Sequence, residues 1–276
     1  MDNPKFEIVT TTTGAISIRN IEVNEIMHNP VGPWIEANAL YIDQSNLKQR
    51  LTESATEELV VFDVGLGAAA NALAAISCAR TRALRLISFE RDLELLKFAH
   101  YHTAKFEHFR GFEGAIEAIL TQGYWSNQKV FWELRQGEFL ETIATEVQRP
   151  HLIFFDPYSP NVNQEMWTSK CFEKIRRISR ELKDGGTSLY TYSQATRVRV
   201  ALINAGFFVG YGKSTGLKTQ TTEAATDISM LKSPLDKPWY DRWQRSNARY
   251  PYDCKIEQQA KFDTQIEKYF SNFSNF

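Results

Sequence analysis

The chain has 276 residues, 43% hydrophobic and 24% charged, with 32 basic against 33 acidic side chains. That length and apolar content suffice for a full core, which excludes a disordered tail or a stapled mini-protein. A net charge of −1 excludes a uniformly basic, histone-like nucleic-acid binder. The neutral total nevertheless hides polarity, because residues 1–150 carry 14 Lys and Arg against 20 Asp and Glu, and residues 151–276 carry 18 against 13.

In chain order, Phe6–Val9 and Ala15–Ile18 alternate apolar and polar residues about a Thr/Gly turn and predict a small hairpin. Leu59–Val64 is a buried strand ending at Gly65, and the Ala-rich stretch Ala68–Ala79 is a helix. Leu86–Glu90 is a second strand, followed by a helix that Asp92 can cap. Further strands are expected at Val130–Leu134, His151–Asp156, Ser188–Tyr192, Phe207–Tyr211 and Ala225–Leu231. A long amphipathic helix is expected from about Met166 to Leu182, stopped by Gly185-Gly186, and another at Thr196–Asn204. Seven strands alternating with helices imply a doubly wound, mostly parallel α/β sheet. Ser233–Asp253 reads as an irregular extension and Lys255–Phe276 as a terminal helix with a Phe-rich end. The expected organisation is a lead-in at 1–50, a core at 51–232 and an extension at 233–276.

No basic and apolar leader opens the sequence, and the apolar run from Leu59 to Ile76 is broken by Asp63 and Asn71. Cys78, Cys171 and Cys254 form no CxxC, and His100 and His102 sit two apart, so neither a zinc ribbon nor another metal site is expected. A cytoplasmic setting without membrane attachment follows.

Two stretches carry chemistry. In Asp63-Val-Gly65-Leu-Gly67-Ala-Ala-Ala70-Asn71, a glycine turn joins a strand to a helix N-terminus, where a ligand can approach the backbone. Gly65, Gly67 and Ala70 satisfy G-x-G-x-x-G/A, which admits a dinucleotide such as NAD. Asp63 favours S-adenosylmethionine instead, because a carboxylate suits a cationic amino acid moiety better than a pyrophosphate. Glu90, ending the second strand, is placed for ribose hydroxyls. The second stretch, Phe155-Asp156-Pro157-Tyr158-Ser159-Pro160, ends a strand at the ligand-binding edge. Its prolines stiffen the loop, its acid can orient an amine, and its aromatic ring can cover a planar substrate.

These residues resemble the methyltransferase domain of MnmC-type enzymes, which methylate 5-aminomethyl-2-thiouridine at the tRNA wobble position. The likeness runs from about Glu25 to Lys218. Asp63-x-Gly65-x-Gly67-x-x-x-Asn71 is similar to that family's acid-x-Gly-Phe-Gly-x-Gly-x-Asn turn, Ile87–Glu90 to its second strand, and Gly137-Glu138 to its Gly-Asp beside adenine. Asp156-Pro157-Tyr158-Ser159-Pro160, with Asn163 and Met166-Trp167-Thr168, is similar to its Asp-x-Phe-(Ala/Ser)-Pro…Asn-Pro-x-Met-Trp-Thr signature. The turn lacks a third glycine, Gln164 replaces a proline, and Thr219-Gln220 replace an Arg-Glu after Gly216-Leu217-Lys218.

The resemblance implies a class I fold, S-adenosyl-L-methionine held by Asp63, Gly65, Gly67, Asn71, Glu90, Gly137, Glu138 and Asp156, and an amine on tRNA methylated beside Asp156. Tyr158 and Trp167 would pack around the base. Too few residues remain for a fused flavin oxidase, so a separate enzyme would supply the aminomethyl precursor. Basic residues between Lys170 and Arg199, and around Trp239, Tyr240 and Trp243, are the expected RNA-facing groups. The alternatives are a methyltransferase for another amine, on a small molecule or protein, and a nucleotide-binding dehydrogenase-like protein.

Overall fold

The computed structural model describes residues 4–27, 31–214 and 220–271. Its strands are β1 (Phe6–Thr10), β2 (Ile16–Asn20), β3 (Glu25–Ile26), β4 (Leu59–Val64), β5 (Leu84–Glu90), β6 (Tyr124–Ser126), β7 (Val130–Gln136), β8 (Leu152–Phe155), β9 (Ser188–Thr191), β10 (Phe208–Gly212) and β11 (Thr221–Ala225). The α-helices are α1 (Pro33–Ala37), α2 (Leu47–Thr52), α3 (Ala70–Ser77), α4 (Glu94–Tyr101), α5 (Glu113–Gln122), α6 (Phe139–Thr145), α7 (Ser169–Ile178), α8 (Thr196–Asn204), α9 (Lys237–Gln244) and α10 (Gln259–Ser271). A π-helical segment, Asn38–Asp43, follows α1 directly.

The first three strands form an antiparallel sheet, and the rest form a second sheet in the order β10-β11-β9-β8-β4-β5-β7-β6. Strands β7, β5, β4, β8 and β9 run parallel, while β11 is antiparallel between β9 and β10. This is the seven-strand, doubly wound arrangement expected, with β6 as an eighth, antiparallel edge strand beside β7. Strand alternation splits the core. Leu59 and Val61 face the cluster holding Leu40, Leu47, α3 and Leu96, whereas Val60, Phe62 and Val64 face Phe172, Val200, Trp239 and Phe270. Chain order reverses on either side of β4, so a crevice opens beyond the carboxyl ends of β4 and β8.

Several expected elements differ. The helix read from Met166 to Leu182 is instead a 3-10 turn (Gln164–Trp167) followed by α7, because the Thr168 hydroxyl accepts the Cys171 N–H and caps α7 there. The helix stops at Ile178, where Arg180 is drawn out of it by bonds to the Thr187 hydroxyl (2.8 Å), the Arg149 carbonyl (2.9 Å) and Glu57 (2.7 Å). The strand read at Ala225–Leu231 lies earlier, at β11, and Asp227 turns the following residues into a 3-10 turn by accepting the Ser229 N–H. Part of the supposed irregular extension is α9, capped by Asp236. The segments forming α1, α2 and α5 carry helices that the apolar periodicity did not reveal. Gly216-Leu217-Lys218, Thr219 and the final Phe-rich run lie outside the described residues. No helix among the described residues is long and apolar enough to cross a membrane.

Two expected RNA-facing features are corrected. Trp239 and Trp243 are 1% and 2% exposed and pack into the core, so neither ring is available for base stacking. Arg199 is also buried, donating to the Thr222 hydroxyl and the Thr221 carbonyl (3.0 Å each), with burial pulling its guanidinium down to about 10.

Candidate active site

Beyond β4 the chain turns at Gly65 (φ 89°), whose N–H donates to the Phe89 carbonyl at 3.0 Å. A Cβ on Gly65 would stand 2.6 Å from the Asp156 carbonyl oxygen and 3.1 Å from Pro157 Cα, so only glycine lets the β4 and β8 turns touch. The Gly67 N–H donates to Glu90 Oε2 at 3.0 Å, and Ala69 takes the left-handed conformation (φ 62°) just before α3. Asn71, in the first turn of α3, donates from Nδ2 to Asp156 Oδ2 at 2.8 Å. One side chain therefore ties the glycine turn to the acid of the second motif.

Glu90 ends β5 with both carboxylate oxygens accepting backbone N–H groups, from Gly67, Arg91 (2.8 Å) and Asp92 (3.4 Å). Burial pushes its pKa up against those donors. Gly137, after β7, donates to the Glu90 carbonyl at 2.9 Å, and the exposed Glu138 carboxylate lies 3.9 Å from Arg91. Asp156 follows β8 with its N–H on the Val64 carbonyl at 2.9 Å. The fully buried Tyr41 hydroxyl donates to the Phe155 carbonyl at 3.5 Å beside Asp156, and burial, then Asp156, hold that phenol well above its usual range. Tyr158 is pushed up to about 12, chiefly by burial, and accepts a hydrogen bond from Asn20 Nδ2 at 3.2 Å.

A cavity of about 580 Å³ opens on these turns. Gly65, Gly67, Glu90, Gly137, Glu138, Asp156 and Tyr158 line it; Asp63, Asn71 and Trp167 do not. Asp63 is one residue out of phase with Val64, so alternation turns it into the core, where Oδ2 accepts from Ser88 Oγ (2.8 Å), which accepts from Trp132 Nε1 (2.9 Å). Burial drives its pKa up to about 8, with smaller contributions from Asp156 and Glu90. Asn71 acts on the cavity through Asp156. Trp167 is fully buried beneath the Asp156–Ser159 turn, donating to the Tyr158 carbonyl at 2.9 Å and meeting Phe155 and Tyr192 edge-on.

Other residues reach the cavity without any signal in the sequence. Glu36, on α1, is 5% exposed and lines it, as does Tyr192, whose hydroxyl donates to the Pro157 carbonyl at 3.0 Å. Asn20, Glu22 and Glu25 arrive from the small sheet. Among the described lining residues, eight are carboxylates and only Lys5 and Arg91 are cations. Such a surface attracts cations and repels phosphate.

These residues fit S-adenosyl-L-methionine. The volume suits a ligand of that size, the glycine turn gives backbone access, Glu90 sits where a ribose diol needs an acceptor, and the acids match a cation. A dinucleotide would bring its pyrophosphate against the same acids, which disfavours the dehydrogenase alternative.

Fold and cleft suit an S-adenosyl-L-methionine-dependent methyltransferase, and residues 113–227 match a family model of that description. The chain is similar to the tRNA 5-methylaminomethyl-2-thiouridine biosynthesis bifunctional protein MnmC of Ectopseudomonas mendocina (strain ymp), at 28% identity over 67% of this chain and 29% of that protein. It is similar to the same protein of Pseudomonas putida (strain W619), at 26% identity over 75% of this chain and 33% of that protein. The chain thus spans about a third or less of these curated relatives. Its fold is that of the crystal structure of MNMC2 from Aquifex aeolicus, with a TM-score of 0.71 at 18% identity, covering 97% of this chain and 86% of that one. Spermidine synthase from Thermotoga maritima shares the fold more distantly, with a TM-score of 0.51 at 13% identity over 89% of this chain and 76% of that one.

Proposed function

We propose that the chain methylates the primary amine of an aminomethyl group on the wobble uridine of tRNA. The observation that carries this reading is Asp156, fixed by Asn71 at the mouth of an acidic cavity that favours a cationic amine over phosphate. The similarity to MnmC proteins supports this choice of substrate. When bound, S-adenosyl-L-methionine supplies a sulfonium methyl open to in-line displacement by an amine. The chain's residues do the rest. The Gly65–Gly67 turn and Glu90 hold the cofactor, with Gly137 and Glu138 at its adenine end. Asp156, oriented by Asn71, accepts a hydrogen bond from the amine once the ammonium has released its proton to solvent, and aims the freed lone pair. Asp156 and Glu36 offset the positive charge that nitrogen carries after transfer. The Tyr158 ring covers the base, and Trp167 holds that ring's backbone from below.

The acidic lining keeps RNA phosphates outside, so only the modified base enters. Lys170 and Arg197, which begin α7 and α8 at the carboxyl edge, are the cations we assign to the backbone. The tRNA substrate implies a cytoplasmic setting, and an enzyme that installs the aminomethyl group must act first. The test is mass spectrometry of nucleosides from tRNA bearing the aminomethyl modification, incubated with this chain and S-adenosyl-L-methionine. A methylaminomethyl product is expected. Cofactor turnover on a small amine or protein, with none on this tRNA, overturns the reading.

A further inference from the structure

The small sheet does more than cover the cavity. Glu25, in β3, takes two hydrogen bonds from one residue of the catalytic turn 134 positions away: the Ser159 N–H donates to Oε1 at 3.2 Å and the Ser159 hydroxyl to Oε2 at 3.0 Å. Asn20, ending β2, donates from Nδ2 to the neighbouring Tyr158 hydroxyl at 3.2 Å, while its own Oδ1 accepts the Glu22 N–H at 3.0 Å. The two donors on Ser159 match the two oxygens of one carboxylate, which fixes direction as well as distance. On its other side the same turn is held by Trp167 on the Tyr158 carbonyl and Tyr192 on the Pro157 carbonyl. The Asp-Pro-Tyr-Ser turn is therefore gripped from below by the large sheet's core and from above by the small sheet.

We infer that Glu25 and Asn20 are positioning residues, which clasp the small sheet to Ser159 and Tyr158 and so set the angle at which the ring and Asp156 meet the substrate base. The inference rests on the proposed reading of this site. It requires the clasp to act on the amine-bearing substrate and not on the cofactor, because Gly67 and Glu90 hold each other without the small sheet. A misplacement of about 1 Å at a reacting centre costs up to ~100-fold in rate.

The experiment compares Glu25→Ala, Glu25→Gln, Asn20→Ala and Tyr158→Phe, with Asn20→Ala/Tyr158→Phe as the double variant. Glu25→Ala should lower kcat/KM for aminomethyl-modified tRNA by about tenfold with calorimetric affinity for S-adenosyl-L-methionine unchanged. Glu25→Gln, which keeps an acceptor for Ser159, should restore most of that loss. Asn20→Ala should cost nothing further in the Tyr158→Phe background, since its partner hydroxyl is then gone. Hydrogen exchange of the peptide covering residues 155–163 gives a readout independent of any substrate, and Glu25→Ala should speed it while Glu25→Gln does not. Equal loss of cofactor affinity, additive effects in the double variant, or unchanged exchange in Glu25→Ala each overturn the clasp. If wild type fails to methylate this tRNA while Glu25→Ala still speeds exchange, the substrate reading falls and the clasp on the turn stands.

Discussion

The two edges of the large sheet treat charge in opposite ways. At the amino edge, where β4, β5, β8 and β9 begin, cations are spent on internal partners. Arg180 pairs with Glu57 at 2.7 Å, Arg149 donates to the Ser179 carbonyl at 2.6 Å, and Arg82 to the Glu57 carbonyl at 2.8 Å. His151 there is a neutral acceptor for the Val60 N–H at 3.0 Å. At the carboxyl edge, carboxylates gather around a cavity that offers few cations, and burial pushes Asp63 and Glu90 upward. The cations named at the first edge are already paired within the fold. The carboxyl edge favours a ligand that is positive.

The sharpest break in this comparison is Asp156→Ala. It should cut kcat by roughly 10²- to 10⁴-fold, as for loss of a positioned acid–base group, while calorimetric cofactor affinity changes far less. Retained turnover would show that the cavity's acids do not act on the amine. Glu36→Gln removes the most buried lining carboxylate without changing its shape. KM for the aminomethyl substrate should rise by about tenfold in steady-state assays, with a smaller change in kcat.

Asp63 and His151 sharpen the contrast through pH. Asp63 keeps its proton in the fold up to about 8, whereas its ordinary value is 3.8. Between those values the unfolded chain releases the proton and the fold does not, so stability falls as pH rises through that window. Asp63→Asn, which still accepts from Ser88, should raise the melting temperature more at pH 8 than near pH 4. His151 behaves conversely. Burial first, then Arg180, lower it from 6.5 to about 4, so the unfolded chain gains a proton first and stability falls as pH drops through that range. His151→Asn should flatten that acid limb in thermal melts. The smallest effect concerns RNA contacts: Lys170→Glu with Arg197→Glu should raise KM for tRNA and reduce its salt dependence by about one to two units of slope, with methyl transfer otherwise intact.

Legibility in the sequence followed how local each signal was. The parallel strands, the glycine turn, Glu90 and the Asp-Pro-Tyr turn announce themselves because strand period, positive-φ glycine and proline are properties of a few adjacent residues. Glu36, Tyr41 and Glu25 were silent: Tyr41 and Glu25 join the site only through partners more than 100 residues away, and Glu36 sits on a short helix remote in sequence from both motifs. Asp63 shows a subtler failure. Its position two residues before Gly65 was informative, but strand alternation turns its side chain into the core and out of the cavity lining. The basic, aromatic-rich stretches misled for a related reason: Trp239, Trp243 and Arg199 carry surface-like chemistry in sequence and are consumed by the core.

The hydrogen bond from Asn71 to Asp156 has a consequence for how such a site can diverge. Asn71, in the first turn of α3, and Asp156, after β8, share one contact, and Gly65 leaves no space between their turns. On the proposed reading, a substitution that retunes grip on the methyl donor therefore also shifts the acid that aims the acceptor. On that reading donor and acceptor preferences are inherited together, and the small sheet, which bonds to Tyr158 and Ser159, is a second place from which acceptor preference can be tuned.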